Sequence, residues 1–191
     1  MHISDGILPL EVTIPANAIA ITLVYAGGKN LKSTEIPRMG IFAAALFIIS
    51  LINFPLAGTS IHLGLYGLAG MMFGIRAFPI LFVDLLFQCL IFQHGGLLSL
   101  GVNTLNMGLG AMCAHITWKL IPGNKQIKSF MCGFLGILAP AVGMAGLFIL
   151  ARYGKGMAFI VTMNIPAAII EGFLTVFIYN YFQKVKPELL K

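Results

Sequence analysis

The sequence predicts an all-α integral membrane protein, a bundle of seven transmembrane helices with the amino terminus outside and the carboxyl terminus in the cytoplasm. Three observations predict it. The 191 residues are 59% hydrophobic and only 9% charged, with a mean hydropathy of +0.95, whereas about a quarter of a soluble domain is charged. The apolar residues fall into runs approaching the ~20 residues that cross about 30 Å of hydrocarbon as helix. Lysine and arginine concentrate in alternate connections between those runs. The net charge of +6 therefore concerns topology and anionic lipid headgroups, and no nucleic acid is expected as a partner.

Charged and Pro/Gly boundaries place the spans at residues 10–28, 39–53, 61–75, 78–93, 103–121, 129–151 and 157–182. Together they make residues 1–191 a single transmembrane domain. The first span ends in Val24-Tyr25-Ala26, which resembles a signal-peptide cleavage site. Its leader, however, carries Asp5 and Glu11 and no basic residue, the wrong charge for a secretory signal, so it is read as a mature helix. In the third span, Gly64, Gly67, Gly70 and Gly74 recur at spacings of three and four, a bare helical stripe that either packs on a neighbouring helix or admits another segment. The second and third external connections, residues 94–102 and 152–156, are short, and the first covers residues 54–60.

With the amino terminus outside, the inner connections hold Lys29, Lys32, Arg38, Arg76, Lys119, Lys125, Lys128, Lys184, Lys186 and Lys191, ten of the twelve basic residues. Arg152 and Lys155 alone fall outside. This asymmetry satisfies the positive-inside rule and supports an odd number of spans. It also puts His62 and His94 on the same side of the membrane as the chain start.

That start, Met1-His2-Ile3-Ser4-Asp5-Gly6-Ile7-Leu8, is a chelator by covalent geometry. The Met1 amine and the His2 amide nitrogen close a five-membered ring on a metal ion, and the amide nitrogen and His2 Nδ1 close a six-membered one. The planar peptide holds the three nitrogens in one plane and leaves one equatorial position open. Such a set suits Ni(II), Cu(II) or Co(II) better than tetrahedral zinc. His62, after Gly58-Thr59-Ser60-Ile61 at the outer start of its predicted helix, is expected to fill that position. His94 opens the glycine-rich segment 94–102, expected to lie as an outer loop over the site, with His94 or Asn103 hydrogen-bonded to the ligands.

Asp84 and Glu171 are acidic residues inside spans, where polar groups usually have a partner or a function. Each is read as a counter-charge or a subunit contact. His115 and the isolated cysteines Cys89, Cys113 and Cys132 read as structural. No nucleotide-binding P-loop and no HExxH helix is present, so no enzyme is expected, and energy for transport has to come from an ion gradient or another polypeptide.

The segments Met1-His2-Ile3-x-Asp5-Gly6-Ile7-Leu8, Gly58-Thr59-Ser60-Ile61-His62-Leu63-Gly64 and Phe87 to Thr104, with its His94-Gly95-Gly96 core, together resemble the CbiM/NikM family. These are the substrate-binding membrane subunits (S components) of energy-coupling-factor transporters for cobalt and nickel. The resemblance covers roughly the first 110 residues. It implies a seven-helix fold whose amino terminus inserts into the bundle, with Co(II) or Ni(II) as transported substrate held by Met1, His2 and His62. Around those ligands, His94, Asn103 and Asp5 are expected to lend support. The resemblance further implies a scaffold transmembrane subunit (EcfT/CbiQ-type), ATPase subunits (CbiO-type) and a separate small membrane subunit (CbiN-type), in the lipid of a prokaryotic inner or plasma membrane. Ala16-xxx-Ala20 and Ala141-xxx-Ala145 are candidate docking faces, or else internal packing. Gly74-Ile75-Arg76 departs from the Gly-Pro that the family often shows at the inner end of the third helix.

Two competing readings remain at this level. A vitamin-type S component or simple permease predicts no metal at the terminus. An intramembrane zinc hydrolase would use His62, His94 and Glu171 with an open water position. On the metal-transport reading, affinity falls as pH drops through ~6 to 8, where the amine and imidazoles take up protons.

Overall fold

The computed structural model describes residues 2–56, 59–152 and 157–190. Among them are the helices α1 (Leu10–Gly28), α2 (Glu35–Ser50), α3 (Tyr66–Phe73), α4 (Ala77–Phe92), α5 (Leu100–Leu120), α6 (Lys125–Leu150) and α7 (Met157–Val185). A two-stranded antiparallel hairpin, β1 (Asn53–Leu56) and β2 (Thr59–His62), separates α2 from α3, with Asn53 opposite His62. Four stretches, Leu10–Gly28, Tyr66–Phe92, Lys125–Leu150 and Ala158–Val185, are long and apolar enough to cross a membrane. Large aliphatic and aromatic side chains cover the outside, Ile41 and Leu120 each 73% exposed and Phe177 70%. Each would be stabilised by ~1.5–3 kcal/mol on leaving water, so a lipid surround is what this surface fits.

α5 sits at the centre, packed by α1, α3, α4 and α6. Its burial explains why it carries Asn103, Thr104 and Asn106, all buried: Asn103 bonds Ile3 and Thr104 bonds the Leu100 carbonyl, and none of the three is turned to lipid. α6 starts at Asn124, whose side chain accepts the Gln126 N–H at 2.8 Å, and α6 and α7 form the most extensive helix pair. At the opposite end of the order, Glu35 opens α2 and pairs with Arg76 beside the α3–α4 turn.

The third predicted span is not one helix. His62 lies on β2, where a helix start was expected, and the eight-residue α3 begins only after Leu65, which takes a left-handed conformation (φ 47°). The physical reason is a buried acceptor on another helix. Glu171 of α7 takes the N–H groups of Gly64 (2.5 Å) and Leu65 (3.0 Å), so the chain satisfies its backbone there without helical bonds. At its far end α3 passes through a 3-10 turn, Gly74–Arg76, directly into α4.

The glycine stripe resolves in favour of helix packing. A Cβ on Gly67 would strike the Cys132 carbonyl of α6, and one on Gly70 would strike the Ala111 carbonyl of α5. Ala141 and Ala145 are fully buried, so that pair packs internally; of the first pair Ala20 is fully buried and Ala16 half-buried. The second span begins and ends earlier than expected, at Glu35–Ser50, because the hairpin takes over its predicted end. The loop after α4 closes at Ser99, and residues 100–102 already belong to α5.

Candidate metal site

The amino-terminal segment is fixed by polar contacts with the start of α5 and the residues just before it. Asn103 on the first turn of α5 pairs with Ile3 as a second peptide would. Its Oδ1 accepts the Ile3 N–H at 2.8 Å and its Nδ2 donates to the Ile3 carbonyl at 2.9 Å, both buried. Asp5 accepts the N–H groups of Ser99 (2.8 Å) and Leu98 (3.3 Å), at the N-terminal end of α5 where backbone donors have no helical partner. The chain then turns at Gly6 (φ 82°), with the Ile7 N–H returning to the Ser4 carbonyl. Ile3 and Leu8, 1% and 4% exposed, bury their side chains in a small apolar cluster with Val102 and Met144.

The loop between α4 and α5 closes over this segment. Gln93, left-handed at φ 56°, ends α4, and its N–H and that of His94 fold back on the carbonyls of Cys89 and Gln88. Gly96 allows the contact that follows, because a Cβ there would collide with the Asp5 carboxyl. Asn17 of α1 completes the seam, its Oδ1 accepting from the Gly101 N–H and its Nδ2 donating to the Leu98 carbonyl, each at 2.7 Å.

Three imidazoles meet inside this frame. The His2 ring stacks on His62 with centroids 4.8 Å apart and planes 3° from parallel, and lies 6.2 Å from His94 at 19°. His62 Nδ1 is 3.2 Å from the Leu63 carbonyl, an acceptor only, so Nδ1 carries the proton and Nε2 the lone pair. Both ring nitrogens of His2 are buried and lack a hydrogen-bond partner among the described residues. Burial, and after it the positive charge of the chain's amino group ahead of that of neighbouring imidazoles, holds His2 well below the ordinary 6.5 and His62 down to about 3. Burial raises the Asp5 carboxyl slightly, but the Ser99 side chain and the backbone donors at 97–99 outweigh it and hold Asp5 below its usual range. The consequence is that His2 and His62 are neutral, lone-pair-bearing imidazoles in a buried setting, the state in which imidazole binds a metal.

Of the residues expected from sequence, His2, His62, His94, Asn103 and Asp5 are brought together, while Met1 lies outside the described residues. Among the described residues, no three His, Cys, Asp or Glu side chains converge at ligand spacing; parallel stacking keeps the ring nitrogens from pointing at one position. Glu171 and Asp84 are engaged outside the imidazole cluster, Glu171 under Gly64 and Leu65 and Asp84 hydrogen-bonded to Gln88. Sequence reasoning missed Asn17 and Gln88. The available signal was a carboxamide inside an apolar helix, which needs a partner as much as a charge does.

The comparisons extend the sequence resemblance from the first 110 residues to nearly the whole chain. The family profile described as "Cobalt uptake substrate-specific transmembrane region" matches residues 2–189. The cobalt transport protein CbiM of Listeria seeligeri is 33% identical over 219 aligned residues, covering 98% of this chain and 86% of the relative. An Archaeoglobus fulgidus chain with the provisional name fused nickel transport protein NikMN is 28% identical, covering 100% of this chain and 68% of the relative. A crystal structure of a transition metal transporter superposes with a TM-score of 0.82 at 26% identity, covering 97% of this chain and 93% of that one. Fold, membrane character and sequence agree: the chain belongs to the CbiM family of cobalt uptake substrate-specific transmembrane proteins.

Proposed function

We propose that this chain is the substrate-binding subunit of an energy-coupling-factor transporter, with Co(II) or Ni(II) bound by the Met1 amine, the His2 amide and Nδ1, and Nε2 of His62. The stacked His2–His62 pair at 4.8 Å carries the reading. A flexible chain start has no reason to bury an imidazole in contact with another and to pin the next residue through two buried hydrogen bonds. On metal entry one ring turns out of the stack, so that both donors face the ion, while His94, Asn103 and Asp5 hold the surrounding backbone.

The orientation is amino terminus out, carboxyl terminus in, with seven transmembrane helices in a prokaryotic inner or plasma membrane. Co(II) and Ni(II) are both named among the relatives, and both accept a nitrogen set of this kind. ATP hydrolysis belongs to CbiO-type subunits acting through an EcfT/CbiQ-type scaffold. A CbiN-type small subunit is proposed because a relative's name joins M and N in one chain. The hydrolase alternative loses its carboxylate, since Glu171 is engaged by the backbone of Gly64 and Leu65.

Metal content of the purified, untagged protein tests the proposal. About one Co(II) or Ni(II) per chain is expected, with loss of binding in His2→Ala and His62→Ala. Full occupancy in either variant, or none in the parent protein, refutes it.

A further inference from the structure

One buried polar pair near the site has no part in the account so far. On α4, one helical turn apart, the Gln88 Nε2 donates to Asp84 Oδ1 at 2.7 Å. Both residues are 1% exposed. The Gln88 side chain lies near enough to the His2 imidazole to favour its protonated form as an acceptor would, but no hydrogen bond between them is closed: Gln88 Oε1 and both His2 ring nitrogens have no hydrogen-bond partner among the described residues. Buried polar atoms without partners are rare and costly, and here they occur as a facing donor and acceptor.

The direction of the pair follows from chemistry. A carboxylate accepts and does not donate, so Asp84 holds the Gln88 amide with its NH2 towards Asp84 and its carbonyl oxygen towards His2. An oxygen facing the ring selects the tautomer with hydrogen on the nitrogen it meets. If His2 chelates through Nδ1, that nitrogen is Nε2, the atom on the far side of the ring. Metal-bound imidazoles commonly donate their second N–H to a carboxylate or carbonyl oxygen, which fixes ring plane and tautomer.

We infer that Asp84 and Gln88 are positioning residues for the metal: Asp84 locks the Gln88 amide so that Gln88 Oε1 accepts the Nε2–H of His2 and leaves Nδ1 bare for the ion. The inference rests on the metal-binding reading above. The bond closes as the His2 ring leaves its stack with His62, so the same rotation that turns Nδ1 to the ion gives Nε2–H its acceptor. In this arrangement a buried carboxyl group stands behind the ion and acts on it through one amide. Asp84 thereby acquires a role without contacting metal.

The test uses the full-length untagged protein in detergent, titrated with Ni(II) alone, reading affinity and the visible absorption of the bound ion. Gln88→Met keeps the volume and removes the acceptor. It is expected to weaken affinity ~10–100-fold and to shift the absorption band, because a tilted His2 ring alters the ligand field. Asp84→Asn frees the Gln88 amide to flip and is expected to do the same. The double exchange Asp84→Asn with Gln88→Glu restores an acceptor towards His2 and a donor towards it from position 84, so it recovers both affinity and absorption. A purely structural pair would not regain the band through exchanged chemistry. Melting of the metal-free variants shows whether each is folded, and the double exchange, which preserves shape, stands in for any single variant that is not. Parent-like affinity and absorption in Gln88→Met, or a folded double exchange that stays weak, overturns the inference while leaving the metal site in place. A parent protein that binds no Ni(II) overturns both.

Discussion

Asn103 treats Ile3 as a strand treats its neighbour, and with the Asp5 contacts and the buried Ile3 and Leu8 it makes the chain start part of the bundle. Asn103→Ala strands the Ile3 N–H and carbonyl in a buried setting, at about 1–3 kcal/mol for each unsatisfied group. Calorimetric titration of the variant is expected to show metal affinity lower by ~10-fold or more, with the bundle still folded; unchanged affinity would show that docking does not depend on this pairing. Acidification acts on the same segment. Burial holds His2 well below 6.5 and His62 at about 3, while the undocked imidazole of His2 takes up its proton near ~6.5. Stabilisation of the docked state is therefore complete above that value, and it declines as pH falls towards the folded-state values. Hydrogen-exchange protection of the Ile3 amide, corrected for its intrinsic rate, is expected to be lower at pH 5 than at pH 7.5. Equal protection at both would contradict the burial argument. Proton competition at His2 therefore acts from ~6.5 downward, through undocking of the segment, in the lower part of the ~6 to 8 window.

Among the elements, the glycines of α3 carry the closest approaches. Gly70→Leu forces a side chain into the Ala111 carbonyl of α5, and overpacking of this kind costs about 1–3 kcal/mol or more. Thermal unfolding in detergent is expected to come earlier for this variant than for a substitution at Gly28, which has open space around it; equal melting would mean that α3 and α5 are not held as described. The same region shows what periodicity conveys and what it does not. Hydrophobic runs located α1, α4, α6 and α7 to within a few residues, because helices facing lipid must be apolar for their whole length. They merged β2 and α3 into one span, since the partner that breaks the helix, Glu171, is 107 residues away from Gly64. A local pattern contains no trace of so distant an acceptor. His62 was expected at a helix start and lies on β2 for the same reason. Asn17 and Gln88 were missed because a single carboxamide in an apolar run gives no indication of its partner until the helices are packed.

At the scale of the whole molecule, the proposed site joins the chain start to a membrane bundle, and every donor but one comes from residues 1–2. A single residue added before Met1 converts the amine into an amide and destroys the five-membered ring. Metal analysis of such an extended protein is expected to show binding reduced to the level of His2→Ala, with an unaltered melting temperature for the metal-free form. Retained binding would place the ion elsewhere. Orientation has its own check: a cysteine-reactive, membrane-impermeant reagent should label a cysteine introduced at Leu97, 58% exposed, from outside intact cells, and labelling only after lysis would invert the topology. The central claim is tested most directly by an anomalous difference map of the untagged protein loaded with Ni(II), recorded at the metal edge. The account predicts one peak bonded to the Met1 amine, the His2 amide and Nδ1, and His62 Nε2. A peak ligated by other residues, or a peak at His62 and His94 with residues 1–2 away from the metal, would contradict it.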